Sequence, residues 1–125
     1  MDILNDLNGN FVHSCVKKKY QIRAGDTDKA KIINPKKFLW LAKKISSSLK
    51  HIGNLDIDFI YKDKKIYILD FNARFGGGYP FTHEFGYNYI ERILEIVTKQ
   101  KKFKKFKKFV DKQNTFSKGI SIYKH

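Results

Sequence analysis

The sequence predicts an α+β fold, an antiparallel β-sheet flanked by helices, and three observations lead there. Several runs of strand length alternate apolar and polar residues, joined by an Asn-Gly turn or a short charged loop. Two further stretches repeat their apolar residues every three or four positions, as amphipathic helices do. At 125 residues, 42% of them hydrophobic and 15% aromatic, the chain forms one domain at most, with a moderate core.

Asp2 to Asn5 and Phe11 to Arg23 read as strands either side of a turn at Leu7, Asn8, Gly9 and Asn10. Lys17, Lys18 and Lys19 run together in the second strand and read as solvated. Arg23 to Asp28 forms a polar turn, and Lys29 to Ile33 a short extended return. Asn34 then caps a helix with Pro35 at its first position. That helix runs to about His51 on a face of Phe38, Leu41, Ile45, Leu49 and Ile52, with Trp40 in the core and Gly53 as its C-terminal cap.

The chemistry gathers in Leu55 to Pro80, LDIDFIYKDKKIYILDFNARFGGGYP. Leu55, Ile57, Phe59 and Tyr61 fall on one face of a first strand, and Tyr67, Leu69 and Phe71 share a face of a second. Asp56 and Asp58, and then Asp70 and Asn72, take the opposite faces. A three-residue loop of Asp63, Lys64 and Lys65 sets Asp58 directly opposite Asp70. Like charges so opposed are unfavourable, and a divalent cation would relieve them. Oxygen ligands of this kind suit magnesium. Arg74 can grip a phosphate or carboxylate through two parallel hydrogen bonds. Gly76, Gly77 and Gly78 let backbone approach a ligand closely. The alternative is a solvated hairpin face followed by a flexible loop.

Pro80 to Tyr87 reads as a loop or a single turn; its His83 and Glu84 have no partner spacing that supports acid–base work. Asn88 caps a second helix with Ile90, Ile93, Leu94 and Val97 along its packed face and Glu91 and Glu95 on the other. Gln100 to Val110 carries Phe103, Phe106, Phe109 and Val110 at helical spacing among lysines. Such a helix either docks its phenylalanines on the body or lies on an anionic membrane surface or nucleic acid. Phe116 to Tyr123 reads as a final edge strand.

The formal charge of +14 invites a nucleic-acid reading. Of 26 basic residues, however, only Arg23, Arg74 and Arg92 are arginines, the side chain that base-edge and bidentate phosphate contacts favour. Eight lysines lie between Lys99 and Lys112, so the charge is a local segment and no specific nucleic acid is expected. The single Cys15 excludes an intramolecular disulfide, and in its strand it reads as an inert thiol. No apolar run reaches the roughly 20 residues of a membrane span, and the N-terminus does not resemble a secretory signal. A cytoplasmic location is expected.

Along most of its length the chain resembles the C-terminal part of the ATP-grasp ligases, most closely the branch that is like the large subunit of carbamoyl phosphate synthase. The resemblance rests on Ile3-Leu4-Asn5-Asp6, Arg23-Ala24-Gly25-Asp26-Thr27 and the helix that follows. Its most specific part is Asp58, eleven intervening residues, Asp70-Phe71-Asn72-Ala73-Arg74, then Pro80-Phe81 and Gly86. It implies metal roles for Asp58, Asp70 and Asn72 with Mg2+ or Mn2+, a phosphate or acyl-phosphate role for Arg74, and ATP as ligand. The family's usual Glu is Asp70 here, shorter by a methylene. The resemblance also implies residues 1–98 as the C-terminal lobe of an ATP-grasp domain and 99–125 as a basic amphipathic segment. The family's phosphate-covering lobe would precede Met1. The expectation is therefore a fragment of a C–N ligase that needs a separately encoded N-terminal lobe, or an inactive remnant, with a basic binding module as the alternative.

Overall fold

The computed structural model describes residues 1–112 and 114–119. Their order is β1 (Asp2–Asn5), β2 (Phe11–Arg23), β3 (Asp26–Ile33), a 3-10 turn (Pro35–Phe38), α1 (Leu39–Leu49), β4 (Gly53–Lys62), β5 (Lys65–Asn72), α2 (Tyr79–Glu84), α3 (Tyr89–Val97) and β6 (Thr115–Ser117). The strands form one antiparallel sheet in the order β5-β4-β1-β2-β3-β6. The last strand expected from sequence continues to Tyr123, and its residues 120–123 lie outside the described residues.

Both faces of the sheet are covered, and the alternation along each strand decides which residue goes where. On one face Ile3, Val16, Leu55 and Ile57 pack with Phe38, Leu41, Ala42 and Ile45 of the 3-10 turn and α1. On the other, Leu4, Cys15, Ala30 and Ile32 pack with Tyr79, Phe81, Phe85, Tyr87 and Tyr89. Asn34 caps the 3-10 turn as expected, its side chain accepting from the Lys36 amide. Among the described residues no helix is long and apolar enough to cross a membrane.

Four local expectations are corrected. The polar turn after β2 is only Ala24 and Gly25, both at positive φ, so β3 begins at Asp26. Lys50, not Gly53, ends α1: it adopts the left-handed conformation, and its amide bonds to Ser46 O. Trp40 is 58% exposed, because α1 sets Leu41, Ala42 and Ile45 against the sheet and leaves Trp40 at the rim. There it borders a shallow groove with Ile66, Ile68 and Phe71.

The fourth correction concerns α3 and the segment after it. Ile90, Leu94 and Val97 are exposed, whereas Tyr89, Arg92 and Glu95 are buried. Residues 101–112 hold no helix and run as an irregular strap, with Phe106 and Phe109 packed into the second core. A strap without secondary structure needs hydrogen-bond partners for its backbone, and the polar face of α3 supplies them. Arg92 is paired with Glu95 at 2.9 Å and donates to the Lys104 carbonyl, while Glu95 accepts the Lys104 amide at 3.1 Å. The Arg92 guanidinium also lies 4.3 Å from the Phe106 ring centroid. Nearby, His13 bonds the Tyr89 hydroxyl at 2.9 Å, and burial, with the charge of Arg92, pulls its pKa down to about 4.

Arg92→Ala should therefore release the strap before it unfolds the sheet. Limited proteolysis should cut first within residues 99–112, at a rate well above that of the unsubstituted chain, while the amides of β1 and β4 stay protected.

Candidate functional site

The β4–β5 hairpin turns through Asp63 and Lys64, both at positive φ, with Lys62 paired to Lys65. This is a two-residue connection, one shorter than the sequence suggests. Near the turn the pairs are Tyr61 with Ile66, Ile60 with Tyr67 and Phe59 with Ile68. The register then shifts between Asp58 and Phe59, leaving Leu69 as the extra residue of a bulge. Beyond it Ile57 pairs with Phe71, Asp56 with Asn72, and Asp58 with Asp70.

Asp58 and Asp70 thus stand opposite each other, as expected, but the odd residue lies in the strand and not in the loop. The bulge also corrects the faces of β5. Ile66 and Ile68 pack toward α1 with the first core, while Tyr67 and Leu69 are exposed. Below the bulge Phe71 joins the α1 side, bordering the groove under Trp40.

The other face at this end of the sheet carries a row of polar side chains across three strands. Asn72 pairs with Asp56, and Asp56 in turn with Asp2 of β1. Asp2 is fully buried and bound on one oxygen by the Lys17 ammonium at 2.5 Å and by the Thr82 hydroxyl. Lys17 also donates to Thr82 Oγ1 at 3.1 Å, closing a triangle that joins β1, β2 and α2. Burial pushes the Asp2 carboxyl up, but Lys17 and the Met1 amino group outweigh it, so the group lies below the usual carboxylate range. For Asp56 burial prevails: it is raised, the nearby Asp2 and Asp58 adding to the effect against the Met1 amino group.

Toward solvent, Asp58 is 38% exposed in its side chain and paired with Lys19 of β2 at 2.7 Å. Asp70 accepts the Phe71 amide at 2.8 Å and the Asn72 side-chain amide at 2.9 Å. Arg74 follows at once, its carbonyl held by Asn54 Nδ2 at 2.9 Å and its amide by Asn72 O at 2.8 Å. Its guanidinium is exposed and, among the described residues, bonds only its neighbour's carbonyl, Phe75 O, at 3.2 Å. The main chain of Arg74 is fixed and its charged end is free to meet an anion.

The three glycines lie against the sheet, and their lack of a side chain is a packing requirement. A Cβ on Gly76 would fall 1.9 Å from Asp56 Oδ2, and one on Gly77 1.7 Å from Asp26 Oδ1. Gly78 sits over Lys17 and Thr27. The loop therefore packs against Asp26 of β3, a residue that Lys118 also pairs and that sequence reasoning left in a turn. Sequence reasoning also passed over Asp2 and read Lys17 as solvated, whereas the Lys17 side chain is buried because Asp2 and Thr82 hold its ammonium; a lone aspartate between Met1 and Ile3 in a short apolar strand is a sign of a paired buried charge. His83 and Glu84 are exposed on α2. Cys15 is buried and its thiol pushed up to about 11 by that burial, as an inert thiol should be.

A hard divalent cation takes oxygen donors. Among the described residues no three His, Cys, Asp or Glu side chains are grouped to hold an ion. Two opposed carboxylates and a neighbouring amide are a different set, all oxygen, and suit a cation that completes its shell with water and phosphate. The residues fit.

A sequence model of the ATP-grasp domain matches residues 5–78, which include β2 to β5, the carboxylate row from Asp56 to Asn72, Arg74 and the glycine loop. A comparison with curated proteins finds no match.

Gly76→Ala should destabilise the fold by about 1–3 kcal/mol, as overpacking does, because its methyl group meets Asp56. Gly119→Ala, where a Cβ meets nothing within 4 Å, should change little. Urea denaturation of the two variants beside the unsubstituted chain checks both.

Proposed function

The chain belongs to the ATP-grasp family, and from that premise we propose that it is the metal- and phosphate-holding lobe of an ATP-dependent ligase. The finer reading is a carboxylate–amine ligase of the carbamoyl-phosphate-synthase-like branch. One observation carries it: the register that sets Asp58 against Asp70 and Asp56 against Asn72, with Arg74 two residues beyond.

In this reading Asp58, Asp70 and Asn72 hold Mg2+ or Mn2+, which when bound neutralises charge on the phosphate oxygens. Arg74 offers two parallel N–H donors to the transferred phosphoryl group. The glycine loop keeps side chains out of the approach to it. Lys17 stays charged beneath the row, since Asp2 holds its ammonium against the pull of burial. A substrate carboxylate oxygen attacks the γ-phosphorus and ADP leaves, giving an acyl phosphate. An amine or ammonia then attacks the acyl carbon and phosphate departs. The residues of the site position charge for both displacements and need form no covalent bond themselves.

Asp58, Asp70 and Arg74 all reach solvent, so a nucleotide held on this face needs a second wall. A separately encoded N-terminal ATP-grasp lobe is the partner this reading assigns.

With an N-terminal ATP-grasp lobe present, Mg2+ with ATP should raise the thermal midpoint, and at a hundredfold excess over Kd the gain is about 2.7 kcal/mol. Asp70→Ala removes an exposed side chain and should fold normally but lose that gain. An equal thermal shift in the two proteins contradicts the metal assignment.

A further inference from the structure

α3 buries its polar face and exposes its apolar one. Arg92 and Glu95 are buried with Tyr89, whereas Ile90, Leu94 and Val97 are 48%, 59% and 53% exposed. At about 100° per residue these three point within roughly 60° of one another and form a single row along the helix. A helix that lies on a core turns such a row inward, and a row left in water marks a surface that meets something else.

The strap explains the orientation. Glu95 accepts the Lys104 amide, Arg92 donates to the Lys104 carbonyl, and Glu91 pairs with the Lys104 ammonium. Both carboxylates of α3 are thereby tied to the strap. The strap in turn brings cations beside the helix, since residues 96–110 contain seven lysines and no aspartate or glutamate. Lys99, Lys101, Lys102, Lys105 and Lys108 are exposed, and among the described residues no carboxylate pairs with them. Phe103 is also 50% exposed, and its ring centroid lies 5.1 Å from the Arg92 guanidinium, which keeps it next to α3.

We propose that this patch docks on the surface of an anionic lipid bilayer. Ile90, Leu94, Val97 and Phe103 enter the headgroup region, and the lysines of the strap meet the negative charges of the lipids. The make-up of the patch selects this occupant. A nucleic acid would answer the lysines and leave the apolar row in water, and Arg92, the one arginine here, is buried against Glu95. A folded partner would need carboxylates at fixed places, whereas these lysines stand on an irregular segment and suit a fluid charged surface. A helix of nine residues is too short to cross a bilayer and lies along it. The patch uses none of the side chains assigned to metal or phosphate, and it holds whether or not ATP binds.

The test is co-sedimentation of the full chain with vesicles of phosphatidylcholine alone and of phosphatidylcholine with phosphatidylserine in equal parts. The chain should bind the mixed vesicles and not the neutral ones. Leu94→Asp should lower that binding by roughly tenfold or more. Lys101→Gln together with Lys102→Gln should lower it by roughly 25-fold, about fivefold for each lysine. All three changes fall on exposed side chains and should leave the urea midpoint where it is. Trp40 packs by α1, on the other face of the sheet, and should keep its emission when the bilayer carries a brominated-lipid quencher. The proposal is overturned by no binding to the mixed vesicles, by equal binding to the neutral ones, by undiminished binding of Leu94→Asp, or by quenching of Trp40. It is also overturned if the chain binds a single-stranded oligonucleotide more tightly than the mixed vesicles and Leu94→Asp leaves that affinity unchanged.

Discussion

The buried triangle of Asp2, Lys17 and Thr82 is the constraint on which the rest of this structure depends. Taking a carboxylate and an ammonium out of water costs several kcal/mol each, repaid only by close pairing and further hydrogen bonds. Here the pair is close at 2.5 Å and Thr82 completes one carboxylate oxygen, while Asp2 Oδ1 has no partner among the described residues. The arrangement tolerates no slippage. It fixes α2 on the sheet by Thr82, and with α2 the glycine loop that leads into it. Through the loop it sets how near Asp26 and Asp56 come to the same backbone.

The same charge shapes the outer row. Asp56 is raised by burial and by its acidic neighbours, and Lys17 is one of the cations that moderate it. Asp58 leans on Lys19, which is exposed and can turn away. A buried, immobile ion pair therefore sits under a more exposed set of oxygens, which in the proposed function would exchange a lysine for a metal and phosphate. Rigidity below and freedom above are what a site built for positioning requires. On the same face of the sheet α3 performs a structural task of the same kind, lending Arg92 and Glu95 to the strap's backbone.

Much of this was legible in the sequence. Alternation placed β1, β2 and the central hairpin, and the parity of Asp58 and Asp70 required them to share a face. Parity cannot say where an odd residue sits, and the structure puts it at Leu69, since a two-residue turn with both residues at positive φ suits the twist of a hairpin. Trp40 and the Ile90, Leu94 and Val97 face of α3 were misjudged for a shared reason. Periodicity reports that a helix has two faces, but the partner decides which face is covered. A strap rich in unpaired backbone took the polar one. The phenylalanine spacing after Gln100 looked helical, yet the strap docks the same rings without a helix. Asp2 and Lys17 lie far apart in sequence, and only the order of strands brings them together.

The central claim is that Asp2 and Lys17 act as one buried unit, and a double-mutant cycle measures it most directly. Asp2→Asn, Lys17→Met and the double variant would be compared by urea denaturation. Each single substitution should cost about 3–5 kcal/mol, because it strands the other charge. The double variant should cost no more than either single one, giving a coupling of about 3 kcal/mol or more. Single effects that simply add in the double variant would contradict the account.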